Sequence, residues 1–195
     1  MKIVLIRHGQ TAGNALGRYI GATDEPLSEE GLLKARAVTP DLSIETVYVT
    51  PLLRTVQTAS ILFPQAERVI VPGLREMDFG AFENRSWKDM ENDVSYRAWV
   101  DSGCTAPCPG GEGMAGFAER VGRCFYKLVQ NAAAEGRETV YIVAHGGTLM
   151  AVLSLFAEDK QPYYSYGANN LTGWEAVARF EGDTLILTEL MRFRP

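Results

Sequence analysis

Val4-Leu5-Ile6-Arg7-His8-Gly9-Gln10-Thr11-Ala12-Gly13-Asn14 is a short apolar run that stops abruptly in a cation, an imidazole and a glycine. A run of β-branched and aliphatic residues bounded by glycine reads as a buried strand. Its polar residues then stand at the strand's carboxyl end, where open α/β sheets bind their ligands. The same pattern returns in Tyr141-Ile142-Val143-Ala144-His145-Gly146-Gly147-Thr148. The chain of 195 residues contains 2 histidines, and both occupy this position. If the two strands lie side by side and parallel, the two imidazoles face one crevice.

The neighbours of the imidazoles suggest what the crevice holds. Arg7 abuts His8. A fixed guanidinium repels a divalent cation but grips a phosphate bidentately. A third strand, Thr46-Val47-Tyr48-Val49-Thr50, runs into Pro51-Leu52-Leu53-Arg54-Thr55-Val56-Gln57-Thr58-Ala59. Thr50 is a candidate N-cap and Pro51 suits a first helical position. Arg54 then lies one turn into a helix that starts at a strand's carboxyl end. Helical side chains lean back toward the N-terminus, which brings a second guanidinium to the same rim. A zinc site built from both histidines and a glutamate is the rival chemistry. The adjacent arginines argue against it, and activity surviving a chelator would dismiss it.

Four blocks in this order carry a resemblance. They are Arg7-His8-Gly9-x-Thr11-x-x-Asn14, Thr50-Pro51-x-x-Arg54-x-x-Gln57-Thr58-Ala59, Leu74-Arg75-Glu76-Met77-Asp78-Phe79-Gly80 and Ala144-His145-Gly146-Gly147. Together they resemble the histidine phosphatase superfamily in its phosphoglycerate mutase-like branch, over nearly the whole chain. The resemblance implies that His8 is a nucleophile that becomes transiently phosphorylated. It implies that Arg7, Arg54 and His145 hold the phosphoryl oxygens and that Glu76 protonates the leaving group. Asn14 matches a family position beside the phosphate, the amide of Gly146 is a further candidate donor, and Gly21 and Thr23 match a loop that contacts substrate. No cofactor and no metal are implied. The choice of Glu76 rests on the family pattern, because Asp78 and Glu83 are nearby carboxylates.

Physical chemistry supports each role separately. Uncatalysed phosphate-monoester hydrolysis is among the slowest reactions known, with enzymic accelerations up to about 10²¹. Its transition state spreads negative charge over the equatorial oxygens, so fixed cations and donors supply most of the help. A neutral imidazole attacking phosphorus splits one hard step into two, and surrounding positive charge favours the neutral form. The leaving alkoxide needs a proton from the far side, and the same group can later activate water.

Composition sets the outer bounds. With 46% hydrophobic and 22% charged residues, the chain reads as one globular domain over 1–195. A net charge of −5 argues against a nucleic-acid partner. The three cysteines, Cys104, Cys108 and Cys124, match no metal spacing strongly; Cys104-x-x-x-Cys108 in its Pro/Gly loop is a candidate binding pair, but the three read first as reduced bystanders of a cytoplasmic protein. No signal peptide and no membrane-spanning segment is expected. No residue pattern sets an oligomeric state.

Taken in order, the chain alternates strand and helix. Tyr19 to Leu27 is a loop close to His8 in sequence, and Ser28 caps a helix expected to run to about Thr39, before Pro40. Val47–Thr50, a helix over Leu52–Phe63 and a strand over Glu67–Val71 follow. The alternation predicts an α/β, three-layer α/β/α sandwich with a mostly parallel, doubly wound sheet. A helical and loop insert, about 79–113, interrupts it and caps the site. Glu112 to Ala134 has helical apolar spacing and reads as core, ended by Gly136. A helix over Thr148–Phe156 follows the second histidine strand, Tyr163 to Asn170 is loop with Asn169 or Asn170 near the phosphate rim, and a hairpin turning at Glu181-Gly182-Asp183 closes the chain.

The insert narrows the substrate. From Glu76 to Glu119 three cations, Arg85, Lys88 and Arg97, stand against nine acids. A multiply phosphorylated ligand would want extra cations there, so a singly phosphorylated substrate is expected. The superfamily's mutases carry further basic residues in this region, and their lack here favours hydrolysis. Phe79, Phe82, Trp87, Tyr96 and Trp99 read first as packing, with one or two available to stack on a planar leaving group. Glu76-Met77-x-Phe79-Gly80-x-Phe82-Glu83, Tyr96-x-x-Trp99 and Gly111-Glu112-Gly113-x-x-x-Phe117-x-x-Arg120-Val121 are similar to the α-ribazole phosphatases of cobalamin assembly, whose substrate joins a phosphorylated ribose to a benzimidazole. The expectation is a phosphomonoesterase acting on a small phosphate ester. A broad sugar-phosphate phosphatase, a phosphoglycerate mutase and a non-catalytic phosphate-binding adaptor are the alternatives.

Overall fold

In the computed structural model, which describes residues 1–194, the apolar runs pair into one six-stranded sheet. The strands are β1 (Lys2–Arg7), β2 (Thr46–Val49), β3 (Glu67–Ile70), β4 (Thr139–Ala144), β5 (Gly173–Glu181) and β6 (Thr184–Phe193), in the order β3-β2-β4-β1-β5-β6. Four of them, β3, β2, β4 and β1, are parallel neighbours, and the β5–β6 hairpin adds antiparallel pairings beside β1. Alternation within the central strands feeds two cores. Ile3, Leu5, Val140 and Ile142 point to one face of the sheet, and Val4, Ile6, Val47, Val49 and Val143 to the other.

The helices are α1 (Ala12–Ala15), α2 (Glu29–Arg36), α3 (Leu53–Leu62), α4 (Val94–Asp101), α5 (Met114–Ala134) and α6 (Gly146–Phe156). Helices α2 and α3 pack together on one side, and α5 and α6 on the other, so the expected three layers form. The long α5 buries Phe117, Val121, Phe125, Leu128, Val129 and Ala132, a stripe at three- and four-residue spacing. Each fully buried phenylalanine contributes about 1.5–3 kcal/mol. Gly136, at φ +72°, turns the chain after the helix, a conformation that favours glycine. No helix among the described residues is long and apolar enough to cross a membrane.

Three boundaries differ from expectation. Helix α2 ends at Arg36 rather than near Thr39. Val38 turns to pack against the second core, and Pro40 disfavours helix at the residue before it. Helix α3 starts at Leu53, with Leu52 rather than Thr50 at the cap. Helix α6 starts at Gly146, two residues early, because His145 itself takes the extended cap conformation. Between β3 and α5 the chain makes single turns at Gly80–Phe82 and Lys88–Met90, then α4 and the loop to Gly113. Phe82, Met90, Tyr96 and Trp99 sink into the larger core, whereas Trp87 stays exposed.

Candidate active site

The register of the sheet brings the histidines together. Arg7 pairs with Ala144 across β1 and β4, so the next residue on each strand is a histidine at the same height. The His8 amide donates to the Ala144 carbonyl at 3.0 Å. The two rings meet edge to face with centroids 5.2 Å apart, and both residues are buried. His8 Nδ1 lies 2.7 Å from the Gly9 carbonyl oxygen. A carbonyl only accepts, so Nδ1 carries the proton and Nε2 keeps its lone pair. Burial pushes the His8 imidazole well below its ordinary value, with Arg54 and then Arg7 pushing the same way and the Gly9 carbonyl opposing. The ring is therefore neutral, with a nucleophilic nitrogen free.

The guanidiniums are fixed differently. Arg7 ends β1 and donates one terminal N–H to the Ala168 carbonyl at 2.8 Å. Its buried Nε has no partner among the described residues. That orphan N–H sits beside Gly146, where a Cβ would stand 3.5 Å from Arg7 Nε. Gly146 opens α6, so its own N–H is among those no helical carbonyl can reach. A buried unpartnered guanidinium N–H next to a helix N-terminus is a site for an anion. Arg54 is fully buried in the first turn of α3. Its Nη1 donates to the Thr23 carbonyl at 2.7 Å, its Nη2 to the Gly21 carbonyl at 2.8 Å and its Nε to His145 Nδ1 at 3.2 Å. Each terminal nitrogen carries a second N–H.

His145 is held on both ring nitrogens. Nδ1 accepts from Arg54, and Nε2 lies 2.9 Å from the Thr50 hydroxyl, which lies 2.9 Å from that of Thr55. This explains why Thr50 does not cap α3. Its hydroxyl is spent on the imidazole, and the first amide of α3, Leu53 N–H, goes to Asp24 at 2.7 Å instead. The other residues of that block also reach the loops. Gln57 accepts from the Leu27 amide at 2.8 Å and Thr58 from the Gly9 amide at 2.9 Å. The Arg54 bond to Nδ1 also occupies the lone pair that zinc would need.

Of the three candidate carboxylates, Glu76 faces the crevice. Its oxygens accept from the Met77 amide at 2.9 Å and the Gly147 amide at 2.8 Å. A Cβ on residue 147 would stand 2.3 Å from Glu76 Oε1, so glycine is what admits the carboxyl. Burial raises the Glu76 carboxyl above the ordinary range, against the Met77 and Gly147 amides and the two guanidiniums that pull it down. Asp78 instead accepts from the Gly80 amide at 2.9 Å. Glu83 gathers the Gly21, Ala22 and Thr23 amides and the Thr23 hydroxyl, at 2.6 to 3.2 Å.

The remaining expected residues are also accounted for. Thr11 caps α1 and Asn14 closes the capping box, its Oδ1 accepting from Thr11 N–H and from Asn170 Nδ2, both at 3.3 Å. Asn170, rather than Asn169, reaches the histidine loop and donates to the His8 carbonyl at 2.9 Å. Gly21 and Thr23 do not present free donors to the crevice. Their N–H groups and the Thr23 hydroxyl go to Glu83, and their carbonyls go to Arg54. Sequence reasoning missed Thr50, Gly147 and Arg120. Arg120 donates to the Gly73, Arg75 and Glu76 carbonyls at 3.1 to 3.2 Å while paired with Glu112, and so fixes the segment that bears Glu76.

Beside Glu76 opens a pocket of about 280 Å³, lined by Tyr19, Phe79, Trp99, Met114, Phe117, Met150 and Tyr163 among others. Glu76 is its one ionic residue among the described residues, and no arginine or lysine lines it.

Sheet order, paired imidazoles and the buried guanidiniums define a class, and comparison with known proteins gives it a name. Residues 3–188 match the histidine phosphatase superfamily (branch 1), and the chain belongs to that superfamily. It is 32% identical over 161 residues to the adenosylcobalamin/α-ribazole phosphatase of Salmonella typhimurium, covering 79% of this chain and 78% of that one. It is 29% identical over 192 residues to the 2,3-bisphosphoglycerate-dependent phosphoglycerate mutase of Bifidobacterium longum, covering 79% and 76%. The crystal structure of the α-ribazole phosphatase from Shigella flexneri superposes with a TM-score of 0.77 at 28% identity, covering 96% of this chain and 94% of that one.

Proposed function

We propose that the chain is a metal-independent phosphomonoesterase that works through a phosphohistidine on His8, and that its substrate is a singly phosphorylated ester of an uncharged, largely planar alcohol, with α-ribazole 5′-phosphate as the best candidate. The observation that carries the reading is the juxtaposition of a neutral His8 with its Nε2 lone pair free and the orphan N–H of Arg7.

The steps balance as follows. His8 Nε2 attacks phosphorus while the ester P–O bond breaks. Glu76, whose protonated form burial favours, gives its proton to the departing alkoxide. Arg7, Arg54 and the Gly146 amide hold the equatorial oxygens as charge spreads over them. His145, with Nδ1 accepting from Arg54 Nε and its Nε2–H donating to the Thr50 hydroxyl, holds that guanidinium in place. Water then loses a proton to Glu76 and attacks phosphorus, the P–N bond breaks, and neutral His8, protonated Glu76 and phosphate result.

The pocket supports hydrolysis of a neutral ester over mutase chemistry. A glycerate or serine leaving group carries a carboxylate, and none of the described residues that line the pocket is cationic. Aromatic and methionine side chains suit a flat apolar ring. The test is a panel of α-ribazole phosphate, 3-phosphoglycerate, phosphoserine, fructose bisphosphate and a chromogenic aryl phosphate, with acid-quench trapping of the phosphoenzyme. The expected result is highest kcat/KM on the ribazole and aryl esters and label on His8. Preference for 3-phosphoglycerate would overturn the substrate class, and binding without turnover of any ester would make the chain an adaptor.

A further inference from the structure

We infer that Glu83 is a positioning residue for Arg54, acting through the backbone of residues 21–24. The inference rests on the proposed role of Arg54 at the phosphoryl group. Glu83 follows the single turn Gly80–Phe82 in the insert, 29 places from Arg54 in sequence. Its two oxygens accept from Gly21 N at 3.1 Å, Ala22 N at 2.8 Å, Thr23 N at 3.2 Å, Thr23 Oγ1 at 2.6 Å and Phe79 N at 3.0 Å. Three consecutive amides converging on one carboxylate force the loop to curl around it. The carbonyls of the same loop then face outward, and two of them, Gly21 O and Thr23 O, are the acceptors that hold the Arg54 terminal nitrogens. The next residue, Asp24, ties the loop to the start of α3 through Leu53 N–H. The loop is thus clamped between the insert and the helix that carries Arg54.

A glycine is required where the clamp closes. A Cβ on residue 21 would stand 1.8 Å from the Met77 carbonyl oxygen and 2.6 Å from Glu83 Oε1. A carboxylate is required because it is acceptor only, and every neighbour here is a donor. Burial alone would raise the Glu83 carboxyl, but the Thr23 hydroxyl and the loop amides outweigh it and hold it below the ordinary range, so the group is anionic. Removing it frees the loop amides and loosens both carbonyls on the guanidinium. Misplacement of a catalytic group by about 1 Å costs up to about 10²-fold in rate.

The experiment is a double-mutant cycle of Glu83→Ala and Arg54→Ala, read by kcat/KM on an activated aryl phosphate and by calorimetric affinity for inorganic phosphate. Thermal melts of all four proteins accompany it. Glu83→Ala in the parent is expected to lose about 10- to 100-fold in kcat/KM and to weaken phosphate binding. In the Arg54→Ala background the same change is expected to cost less than about twofold, because its target is gone. Glu83→Gln, which keeps the shape and one acceptor oxygen, is expected to fall between and serves if the alanine variant does not fold. Independent, multiplying losses, or unchanged phosphate affinity in a folded Glu83 variant, would overturn the inference. Retained turnover in Arg54→Ala alone would instead refute the role of Arg54 and leave the phosphatase reading to be rebuilt.

Discussion

The two walls of the crevice are built by different physics. On the strand side, His8, His145 and Arg7 are placed by the sheet: one parallel register aligns Arg7 with Ala144, and the polar residues follow from where the strands end. On the opposite side, Arg54 and Glu76 stand on a loop-tethered helix and an irregular segment. There, charged side chains collect backbone groups, with Glu83 gathering amides and Arg120 gathering the Gly73, Arg75 and Glu76 carbonyls. A sheet wall is held by many weak, redundant bonds. A wall held by one ionic side chain depends on that side chain, because it leaves several buried groups unpartnered when it goes. Substitutions near the site should therefore separate the walls. On the strand side only the reacting residues themselves should matter, and on the other side residues that never touch substrate should matter too.

The largest expected effect is on the strand wall. His8→Ala removes the nucleophile and leaves the guanidiniums in place, so turnover should fall by about 10⁵- to 10⁶-fold while inorganic phosphate still binds. Steady-state kinetics and calorimetry check both halves, and near-parental turnover would refute the nucleophile. Across the crevice, Glu76→Gln should cost about 10²- to 10⁴-fold on esters of poor leaving groups and much less on aryl esters. Glu76 is raised, so the active protonated form is lost as pH climbs through its pKa above 4.5. His8 is depressed, so the active neutral form is lost as pH falls through its pKa below 6.5. The parent should show an acid-side optimum, and Glu76→Gln should lose the alkaline limb on aryl esters. An equal loss on both ester classes would move the acid role elsewhere.

What the sequence disclosed follows the same division. His8, His145, Arg7 and Arg54 were legible because each sits at a fixed offset from a strand end, and strand patterning is local. Thr50 was misread because its hydroxyl had two suitors: the helix amides lie next to it in sequence, and the imidazole that wins lies 95 residues away. Gly21 and Thr23 were placed near the anion, but their carbonyls serve the guanidinium. Glu83 and Arg120 reach backbone groups 62 and 44 to 47 residues distant, which no periodicity encodes. Gly147 carried a weak signal, since a second glycine opening a helix is costly and calls for a close approach. The aromatic residues of the insert also divided only in three dimensions: Phe82 and Tyr96 into core, Trp99 into core with an edge on the pocket, Phe79 onto the pocket, Trp87 to solvent.

Arg120 tests the wall of ionic side chains without touching the reacting groups. Arg120→Met keeps much of the aliphatic stem but abandons three carbonyls and the Glu112 carboxylate. About 10-fold or more should be lost in kcat/KM, through displacement of Glu76, with a steeper loss on poor leaving groups than on aryl esters. A uniform loss on all esters would mean that Arg120 supports the fold and not the acid.

The smallest effect concerns stability and sharpens the account of the strand wall. Both histidines are buried and held neutral, so the folded chain declines protons that the unfolded chain accepts below about pH 6.5. Stability then falls with pH from that point down to the depressed folded values, by about 1.4 kcal/mol per pH unit for each histidine. Glu76, raised by the same burial, binds its proton earlier in the folded state and pulls the slope the other way, but it is common to any pair of proteins that differ at His8 alone. His8→Asn removes one titrating ring and keeps a donor near the position of Nδ1. Its denaturant-melt stability should therefore decline between pH 6.5 and 5 less steeply than the parent's, by about 1.4 kcal/mol per pH unit. Parallel curves for the two proteins would mean that His8 takes up its proton over the same pH range folded as unfolded, and would refute the depressed imidazole.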